Sequence, residues 1–258
     1  MKQLSNKAIV IGLEKINLND YPDLKVLGVN CTGLDHLPWE QIKERDIQVI
    51  SLKDYPTFLK TISSTAEHTI GLIIALMRNY KTALNAPYKD REEYKGHTLN
   101  GKTLGIIGYG RIGRQVKHIA EAFGMKVIWV DSEVQQVPHT LFDLLRESDV
   151  VSLHIPLNFN ENFFTTIMFQ AMKPTAYLIN TSRDAVIEKG ALLWALENKI
   201  IAGAGVDFLD SPELLDYSLK NNNLILTNHI SGNTFEDRIK TENFIIKMVE
   251  NYLTDNKL

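Results

Sequence analysis

Short apolar runs alternate with segments of helical periodicity through the second half of the chain, and this alternation limits the fold more than any other feature. The run Thr103–Ile107 is followed by apolar residues at helical spacing and then by a second run, Met125–Val130. Four further strand-like runs lie at Asp149–Ile155, Ala176–Asn180, Ala202–Phe208 and Leu224–Thr227, with helices predicted between them near Leu141–Glu147, Asn162–Met172 and Gly190–Asn198. Continuous apolar strands that alternate with helices form βαβ units, whose parallel sheet is covered on both faces. We therefore predict an α/β fold built on a Rossmann-type, doubly wound parallel sheet.

The first hundred residues are organised differently. One apolar stripe at helical spacing marks Ser63–Arg78, and a polar segment, Tyr80–Lys102, is predicted to connect two units. A terminal amphipathic helix begins at Phe235. Strands are predicted at Ala8–Gly12, Lys25–Val29 and Gln48–Leu52. We predict a small domain formed by residues 1–62 and 235–258, and a central domain at residues 63–234.

The composition is that of an ordinary globular protein, and it narrows the choice of partners. The 258 residues are 44% hydrophobic, and 28 Lys and Arg against 31 Asp and Glu give a net charge of -3. Without a basic excess, the chain has little with which to neutralise a nucleic-acid backbone. The most apolar stretch, Ile70–Met77, is shorter than the roughly 20 residues of a membrane span, and the sequence shows no cluster of His, Asp and Glu at metal-ligand spacing. We predict a cytoplasmic protein with no nucleic-acid or membrane partner and no metal.

The stretch Gly108-Tyr109-Gly110-Arg111-Ile112-Gly113 has the spacing of a dinucleotide-binding loop. It follows a predicted strand and opens a predicted helix, and Asp131 ends the next strand 18 residues after Gly113. In this context Gly108 permits a tight turn, Gly110 lets the backbone approach a pyrophosphate, and Gly113 allows the helix to pack closely on the sheet. The carboxylate of Asp131 can bind a ribose 2′-hydroxyl and repels a 2′-phosphate. The motif predicts NAD rather than NADP as cofactor; the alternative is a glycine turn that binds nothing.

A histidine and an arginine follow two of the predicted strands. His229 comes just after Leu224–Thr227, and Arg183 follows Ala176–Asn180. Because ligands of open α/β sheets bind beyond the carboxyl ends of the strands, both residues are placed to meet a substrate. A histidine can exchange the proton that accompanies a hydride, and an arginine can hold a carboxylate through two parallel hydrogen bonds. A structural ion pair is an equally open interpretation of Arg183.

The other histidines carry weaker signals. His154 ends a predicted strand and could line the cofactor cleft. His68, on the Ser63–Arg78 helix, is predicted to pack in the interior or to lie at an interface. The remaining four are predicted at the surface, in loops or on polar helix faces: His36, His97, His118 and His139.

Together these motifs resemble the D-isomer-specific 2-hydroxyacid dehydrogenases, the family that includes phosphoglycerate, D-lactate and glycerate dehydrogenases. Besides the glycine motif, the resemblance is carried by Leu24–Val29, Gly33–Asp35, Ser64–Thr69, Ser148–Pro156, Asn180–Arg183, Gly205–Asp207 and Thr227–Gly232, which together extend over most of the chain. It implies an NAD-dependent oxidoreductase that transfers a hydride between nicotinamide and a 2-oxo acid or D-2-hydroxy acid. It also implies a homodimer built largely through the central domain, with a contribution from the Ser63–Arg78 helix.

The resemblance implies a role for each matching residue. Arg183 would hold the substrate carboxylate and carbonyl together with backbone amides near Thr32 and Gly33, and His229 would exchange the proton. Asp207 would bind the nicotinamide carboxamide. The other cofactor-binding positions would be Gly108, Gly110, Arg111, Ile112 and Gly113 at the pyrophosphate, Asp131 at the ribose, Ile155, Pro156, Thr181 and Ser182 on the nicotinamide side, and Gly232 in the last motif.

The sequence departs from the family at three places. The glutamate that orients the family's histidine aligns with Pro212. We predict that Glu213 takes over its role, because a loop beginning at Asp210 can absorb a slip of one residue. Asp210 itself is the second choice. Arg183 is followed by Asp184 where the family has glycine, and a shorter N-terminal region implies a trimmed, flavodoxin-like substrate domain. The alternative function is a catalytically weakened, NAD-sensing binding protein on the same fold.

Overall fold

Two units make up the chain. The computed structural model describes residues 1–85, 91–134, 139–158, 160–208 and 211–257. Contacts within the chain separate Met1–Ile62 with Asn233–Leu258 from Ser63–Gly232. Each unit has its own sheet and two apolar core clusters. None of the helices in the described ranges is long and apolar enough to cross a membrane.

The smaller unit begins with a short antiparallel hairpin that runs into a parallel sheet. Its N-terminal elements are β1 (Lys2–Ser5), β2 (Ala8–Ile11), β3 (Val26–Val29), α1 (Trp39–Glu44), β4 (Gln48–Ser51) and α2 (Pro56–Leu59), with 3-10 helices at Leu18–Asp20 and Leu52–Asp54. The strand order is β1-β2-β3-β4, and only the β1–β2 pair is antiparallel. All four residues of β2 and of β3 are buried, as the continuous apolar runs predict.

The larger unit alternates helices and strands along the chain. Its elements are α3 (Ser64–Met77), α4 (Tyr80–Asn85), β5 (Thr103–Ile107), α5 (Arg111–Ala122), β6 (Lys126–Val130), α6 (Leu141–Glu147), β7 (Val150–Leu153), α7 (Thr166–Ala171), β8 (Tyr177–Asn180), α8 (Ala191–Glu197), β9 (Gly203–Val206), α9 (Pro212–Lys220) and β10 (Leu224–Leu226), with 3-10 helices at Arg91–Tyr94 and Asp184–Val186. The chain then returns to the smaller unit with its last helix, α10 (Phe235–Asp255).

The six strands of the larger unit form one parallel sheet in the order β10-β9-β8-β7-β5-β6. Residues of α3 and α5 share one apolar core with the strands, whereas residues of α6, α7, α8 and α9 share the other. Helices therefore cover both faces, and the predicted α/β class with a doubly wound parallel sheet is confirmed. The chain leaves β5 towards β6 on one side and returns to β7 on the other, which creates a crevice at the carboxyl ends of β5 and β7.

Two segments that the sequence analysis treated as connections contain helices. The polar stretch after Arg78 includes α4, and the predicted loop at the displaced glutamate gives way to α9 at Pro212. Ser211 caps α9, since its hydroxyl accepts a hydrogen bond from the backbone N–H of Leu214 at 3.3 Å, and Pro212 occupies the first turn, where its missing N–H costs nothing. The prediction of a slipping loop was therefore wrong for Glu213, which lies in a helix. Asp210 lies outside the described residues.

Candidate functional site

The loop after β5 is shaped by glycines at two positions where a side chain has no room. Gly108 has a φ of +95°, and a Cβ there would lie 2.5 Å from the carbonyl oxygen of His154. A Cβ at Gly113 would lie 2.2 Å from the carbonyl oxygen of Gly108. At Gly110, in contrast, a Cβ would meet nothing within 4 Å, so the backbone there faces open space. The loop thus leaves room for a ligand at the position where a pyrophosphate approaches the motif.

The N-terminus of α5 offers hydrogen-bond donors to that space. Gly110 is its N-cap residue and provides no side-chain cap, and the first backbone N–H groups of a helix have no acceptor within the helix itself. These groups and the helix dipole favour an anion. Ile112 packs against the core beneath the loop, and Arg111 opens the helix. The cradle therefore fits the pyrophosphate of a dinucleotide.

Asp131 ties the end of β6 to the glycine loop. Its Oδ2 accepts a hydrogen bond from the N–H of Tyr109 at 2.6 Å, and its Oδ1 accepts one from the N–H of Glu133 at 2.8 Å. The ring of Tyr109 stacks on Trp129 with centroids 4.1 Å apart, which supports the same contact. Because a carboxylate has about four lone-pair sites, Asp131 can still accept from a ribose hydroxyl.

The residues after β7 face the other side of the crevice. His154 Nε2 lies 2.9 Å from Ser152 Oγ, and burial lowers the pKa of His154 to about 3, so its imidazole is neutral at physiological pH. Ile155 packs against the core, and Pro156 is exposed. His154 is therefore neutral and is not a proton donor at physiological pH.

The turn that carries Arg183 is fixed by Asn180, the last residue of β8. The buried amide oxygen of Asn180 accepts hydrogen bonds from the N–H and the hydroxyl of Ser182 at 2.9 and 2.7 Å, and its Nδ2 donates to the carbonyl of Arg183 at 2.9 Å. Arg183 is itself half-buried and donates from Nη1 to the carbonyl of Ser182 at 3.0 Å. The hydroxyl of Thr181 lies 3.0 Å from that of Thr69 on α3. The hydrogen bonds of Asn180 and the contact between Thr181 and α3 thus fix the backbone of the turn that carries Arg183.

A buried carboxylate after β9 organises the loop that carries His229. Asp207 Oδ1 accepts hydrogen bonds from the hydroxyl of Thr227 at 2.6 Å and from the N–H of Ile230 at 2.8 Å, and Oδ2 accepts one from the N–H of Ser231 at 2.7 Å. Burial raises the pKa of Asp207, but these hydrogen bonds outweigh it, so the pKa is below its ordinary value. His229 is exposed and has a φ of +53°. Asp207 therefore stays ionised and holds the Thr227 hydroxyl before His229 and two backbone N–H groups after it.

His68 is the functional candidate that the sequence analysis did not find. It was predicted to pack or to lie at an interface, yet its Nε2 lies 3.1 Å from Thr227 Oγ1 and 3.7 Å from Asp207 Oδ1. Burial holds the pKa of His68 below its ordinary value, although the negative charge of Asp207 acts in the opposite direction. The sequence separation of 159 residues from Thr227 leaves no local pattern that could have revealed the contact.

The remaining predicted residues lie in different surroundings. Thr32 and Gly33 belong to the smaller unit, where the carbonyl of Gly33 accepts a hydrogen bond from Cys31 Sγ at 3.1 Å. Glu213 is exposed and accepts a hydrogen bond from the Ser211 hydroxyl at 3.0 Å; within the described ranges, no hydrogen bond or ion pair joins it to His229. Gly232 ends the larger unit. The described residues contain no group of three or more His, Cys, Asp or Glu that could hold a metal ion.

Comparison with known proteins places this arrangement in a family. A family model described as the NAD binding domain of D-isomer specific 2-hydroxyacid dehydrogenases matches residues 70–231. The chain belongs to this family. It is 34% identical to a glycerate dehydrogenase of Methylorubrum extorquens over 83% of the chain and 71% of that protein, and 33% identical to a glyoxylate reductase of Thermococcus litoralis over 88% and 73%. A D-lactate dehydrogenase from Aquifex aeolicus, solved with NAD and lactic acid, superposes with a TM-score of 0.79 at 28% identity, over 96% of this chain and 83% of that one.

Membership fixes the class of reaction and the cofactor. This D-2-hydroxyacid dehydrogenase is an NAD-dependent oxidoreductase that acts between 2-oxo and 2-hydroxy acids. NAD is its cofactor, as the glycine motif predicted. The comparisons give no support to the alternative of an NAD-sensing binding protein.

Proposed function

We propose that Arg183 and His229 carry the reaction of this dehydrogenase. The proposal rests on one observation above all: Arg183, Asp207 and His229 follow the neighbouring parallel strands β8, β9 and β10, at the edge of the sheet where the glycine loop follows β5. Carboxyl ends of parallel strands meet at one edge, and ligands of open α/β sheets bind there. Substrate and cofactor groups can therefore come together at this edge.

The two side chains divide the chemistry between them. The planar guanidinium of Arg183 binds the substrate carboxylate through two parallel hydrogen bonds and polarises the adjacent carbonyl. His229 donates a proton to the carbonyl oxygen during reduction and removes it from the hydroxyl during oxidation. In this proposal, Thr32 and Gly33 of the smaller domain supply backbone N–H groups to the carboxylate, which makes residues 1–62 with 235–258 the substrate domain and 63–234 the NAD-binding domain.

The cofactor supplies the hydride acceptor or donor. Gly108, Gly110 and Gly113 with Arg111 and Ile112 hold its pyrophosphate at the N-terminus of α5, and Asp131 binds its ribose. Asp207, the buried carboxylate that follows β9, is assigned to the carboxamide. The nicotinamide side is assigned to Ile155, Pro156, Thr181, Ser182 and Gly232.

The acidic partner of His229 is proposed to be Glu213. Its exposed side chain holds the Ser211 hydroxyl at 3.0 Å, a contact that a rotation about the side-chain bonds can release. A carboxylate beside His229 would keep the imidazole protonated for reduction. We further propose a cytoplasmic homodimer whose interface is formed by the larger unit, including α3, and which has no nucleic-acid or membrane partner. The net charge of -3 supports the absence of a nucleic-acid partner.

Turnover of NADH with a panel of 2-oxo acids tests the proposal. With the best substrate, Arg183→Lys is expected to lower kcat/KM by about 100-fold or more. Lysine lacks the planar fork of arginine, and a group that stabilises the transition state electrostatically is worth about 2.7–4 kcal/mol. NADH affinity should stay near that of the unchanged protein. A variant with nearly normal kcat/KM would remove Arg183 from the site, and NADH binding without turnover of any 2-oxo acid would favour the NAD-sensing alternative.

A further inference from the structure

A chain of hydrogen bonds connects α3 to the His229 loop through His68 and Thr227, two residues to which the proposed function gives no role. It starts at His68, whose Nε2 lies 3.1 Å from Thr227 Oγ1. Thr227 Oγ1 lies 2.6 Å from Asp207 Oδ1, and Asp207 also accepts the N–H groups of Ile230 and Ser231. The chain thus runs from a helix in the core to the backbone that flanks His229.

The direction of these hydrogen bonds follows from the number of protons available. An ionised carboxylate only accepts, so the single hydroxyl proton of Thr227 goes to Asp207. Thr227 Oγ1 then has only lone pairs to offer, and His68 must donate to it from Nε2. Because burial lowers the pKa of His68, the ring is neutral with its proton on Nε2, and the bonds all point towards Asp207.

The loop that receives this support has a conformation that needs it. His229 has a φ of +53°, in the left-handed region that residues other than glycine occupy at a cost of about 1–2 kcal/mol. Three contacts to Asp207 come from Thr227 on one side of His229 and from Ile230 and Ser231 on the other. Such contacts can hold a strained residue in one conformation.

We propose that His68 is a positioning residue for the reaction, which acts through Thr227 and Asp207 to fix the loop on both sides of His229 and so to direct its imidazole. This inference rests on the proposed function, in which His229 exchanges the proton. The need for such support is larger here than in a chain with a glutamate at position 212, because Pro212 has no group that could orient the ring, and Glu213 could partner His229 only after it releases the Ser211 hydroxyl. The backbone then carries more of the task of aiming His229.

Paired substitutions test the role of the N–H group. His68→Phe keeps a ring but removes the donor, whereas His68→Gln places an amide N–H close to the position of Nε2. A neutral hydrogen bond is worth about a fivefold to tenfold change in an equilibrium, so we expect kcat with the best 2-oxo acid to fall about fivefold to tenfold in His68→Phe. His68→Gln should recover most of it, while KM for the 2-oxo acid and the Kd for NADH stay within about twofold in both. His118→Phe, at an exposed position of α5, is the matched control and should match the unchanged protein.

The isosteric variant Thr227→Val interrupts the same chain one residue later and serves if His68→Phe does not fold. It should lower kcat as His68→Phe does, and Thr227→Ser, which keeps the hydroxyl, should restore it. The inference is overturned if neither interruption lowers kcat, or if His68→Gln is as slow as His68→Phe, because the ring rather than its N–H would then be required. His229→Asn separates the two levels: if it keeps normal kcat, the proposed function fails, whereas if it is inactive and the interruptions have no effect, only the role of His68 fails.

Discussion

Asp131 is the residue proposed to bind the cofactor ribose, and a substitution that removes only its negative charge is the sharpest test of that role. Asp131→Asn removes the negative charge but keeps one carbonyl oxygen that can accept the N–H of Tyr109 or of Glu133, which now lie 2.6 and 2.8 Å from the carboxylate. The variant therefore perturbs electrostatics more than loop geometry. We expect NADPH to bind more tightly to it, and NADH less tightly, than to the unchanged protein.

The size of the effect follows from the half-buried position of Asp131. Two unit charges 4 Å apart interact by about 1 kcal/mol in bulk water and about 4 kcal/mol near a protein surface, so removal of the repulsion should strengthen NADPH binding by about 2 kcal/mol, or roughly 30-fold. A hydrogen bond to a charged acceptor is worth about 1 kcal/mol more than one to a neutral acceptor, so NADH should lose roughly fivefold. The preference for NADH should fall on the order of 100-fold.

Fluorescence titration with NADH and with NADPH measures both constants on the same samples. The matched control is Glu133→Gln, which removes the same charge two residues further along the loop from an exposed side chain. If both variants change the preference equally, the effect is one of overall charge. An Asp131→Asn protein that keeps the original preference would refute the assignment of this carboxylate to the ribose.

Three other substitutions have outcomes that follow from particular contacts. Lys81→Met should lower the free energy of unfolding, measured by urea titration, by about 3 kcal/mol. Lys81 Nζ donates to the carbonyls of Ser218, Asn221 and Leu224 at 2.5, 3.0 and 2.8 Å and to the Ser218 hydroxyl at 2.9 Å. The control Lys117→Met, which loses a surface ion pair with Glu121, should cost no more than about 0.5 kcal/mol in the same titration. Asp207→Asn should be less stable than the unchanged protein by about 2 kcal/mol at neutral pH. Because the folded-state pKa of Asp207 lies below its unfolded value of about 3.9, the carboxylate stabilises the fold above that value, and this stabilisation is lost as pH falls through the folded pKa. A stability difference between the two proteins that stays constant into strong acid would contradict the argument. Glu213→Gln should move the basic limb of the pH–rate profile for 2-oxo acid reduction to lower pH, and an unmoved limb would show that His229 works without this partner.

The elements that the sequence predicts well are those whose apolar pattern is continuous. Thr103–Ile107 and Leu141–Glu147 have the predicted bounds. A buried strand is apolar along its whole length, and an amphipathic helix repeats its apolar residues in every turn, so the pattern marks both ends of the element. The strand Lys2–Ser5 was missed because it lies at the sheet edge, is largely exposed and reads as polar. Likewise, the prediction of a loop at Pro212 is wrong because a serine followed by proline is also a typical helix start.

The candidate site divides in the same way between what is local and what is not. The positions of Arg183 and His229 could be predicted, because the end of a strand is visible in the sequence and the parallel topology brings such ends to one edge. The contacts of His68 could not, since they need the packing of α3 against loops more than a hundred residues away. Periodicity showed that the helix is buried but not which polar groups meet its ends.

Adjacent residues of α3 contact both loops that carry the proposed reacting side chains. His68 donates to Thr227 in the His229 loop, and Thr69, whose hydroxyl proton goes to the carbonyl of Thr65 at 2.8 Å, accepts from Thr181 beside Arg183. A helix in the apolar core has little freedom to move, so it provides one reference for two loops that leave the sheet at different strands. The substrate would have to lie within reach of Arg183 and His229 at once, and a shift of about 1 Å in either is enough to cost about 100-fold in rate. If Arg183 and His229 carry the reaction as proposed, the polar side chains of His68 and Thr69 on α3 bear on catalysis through the loops that they contact.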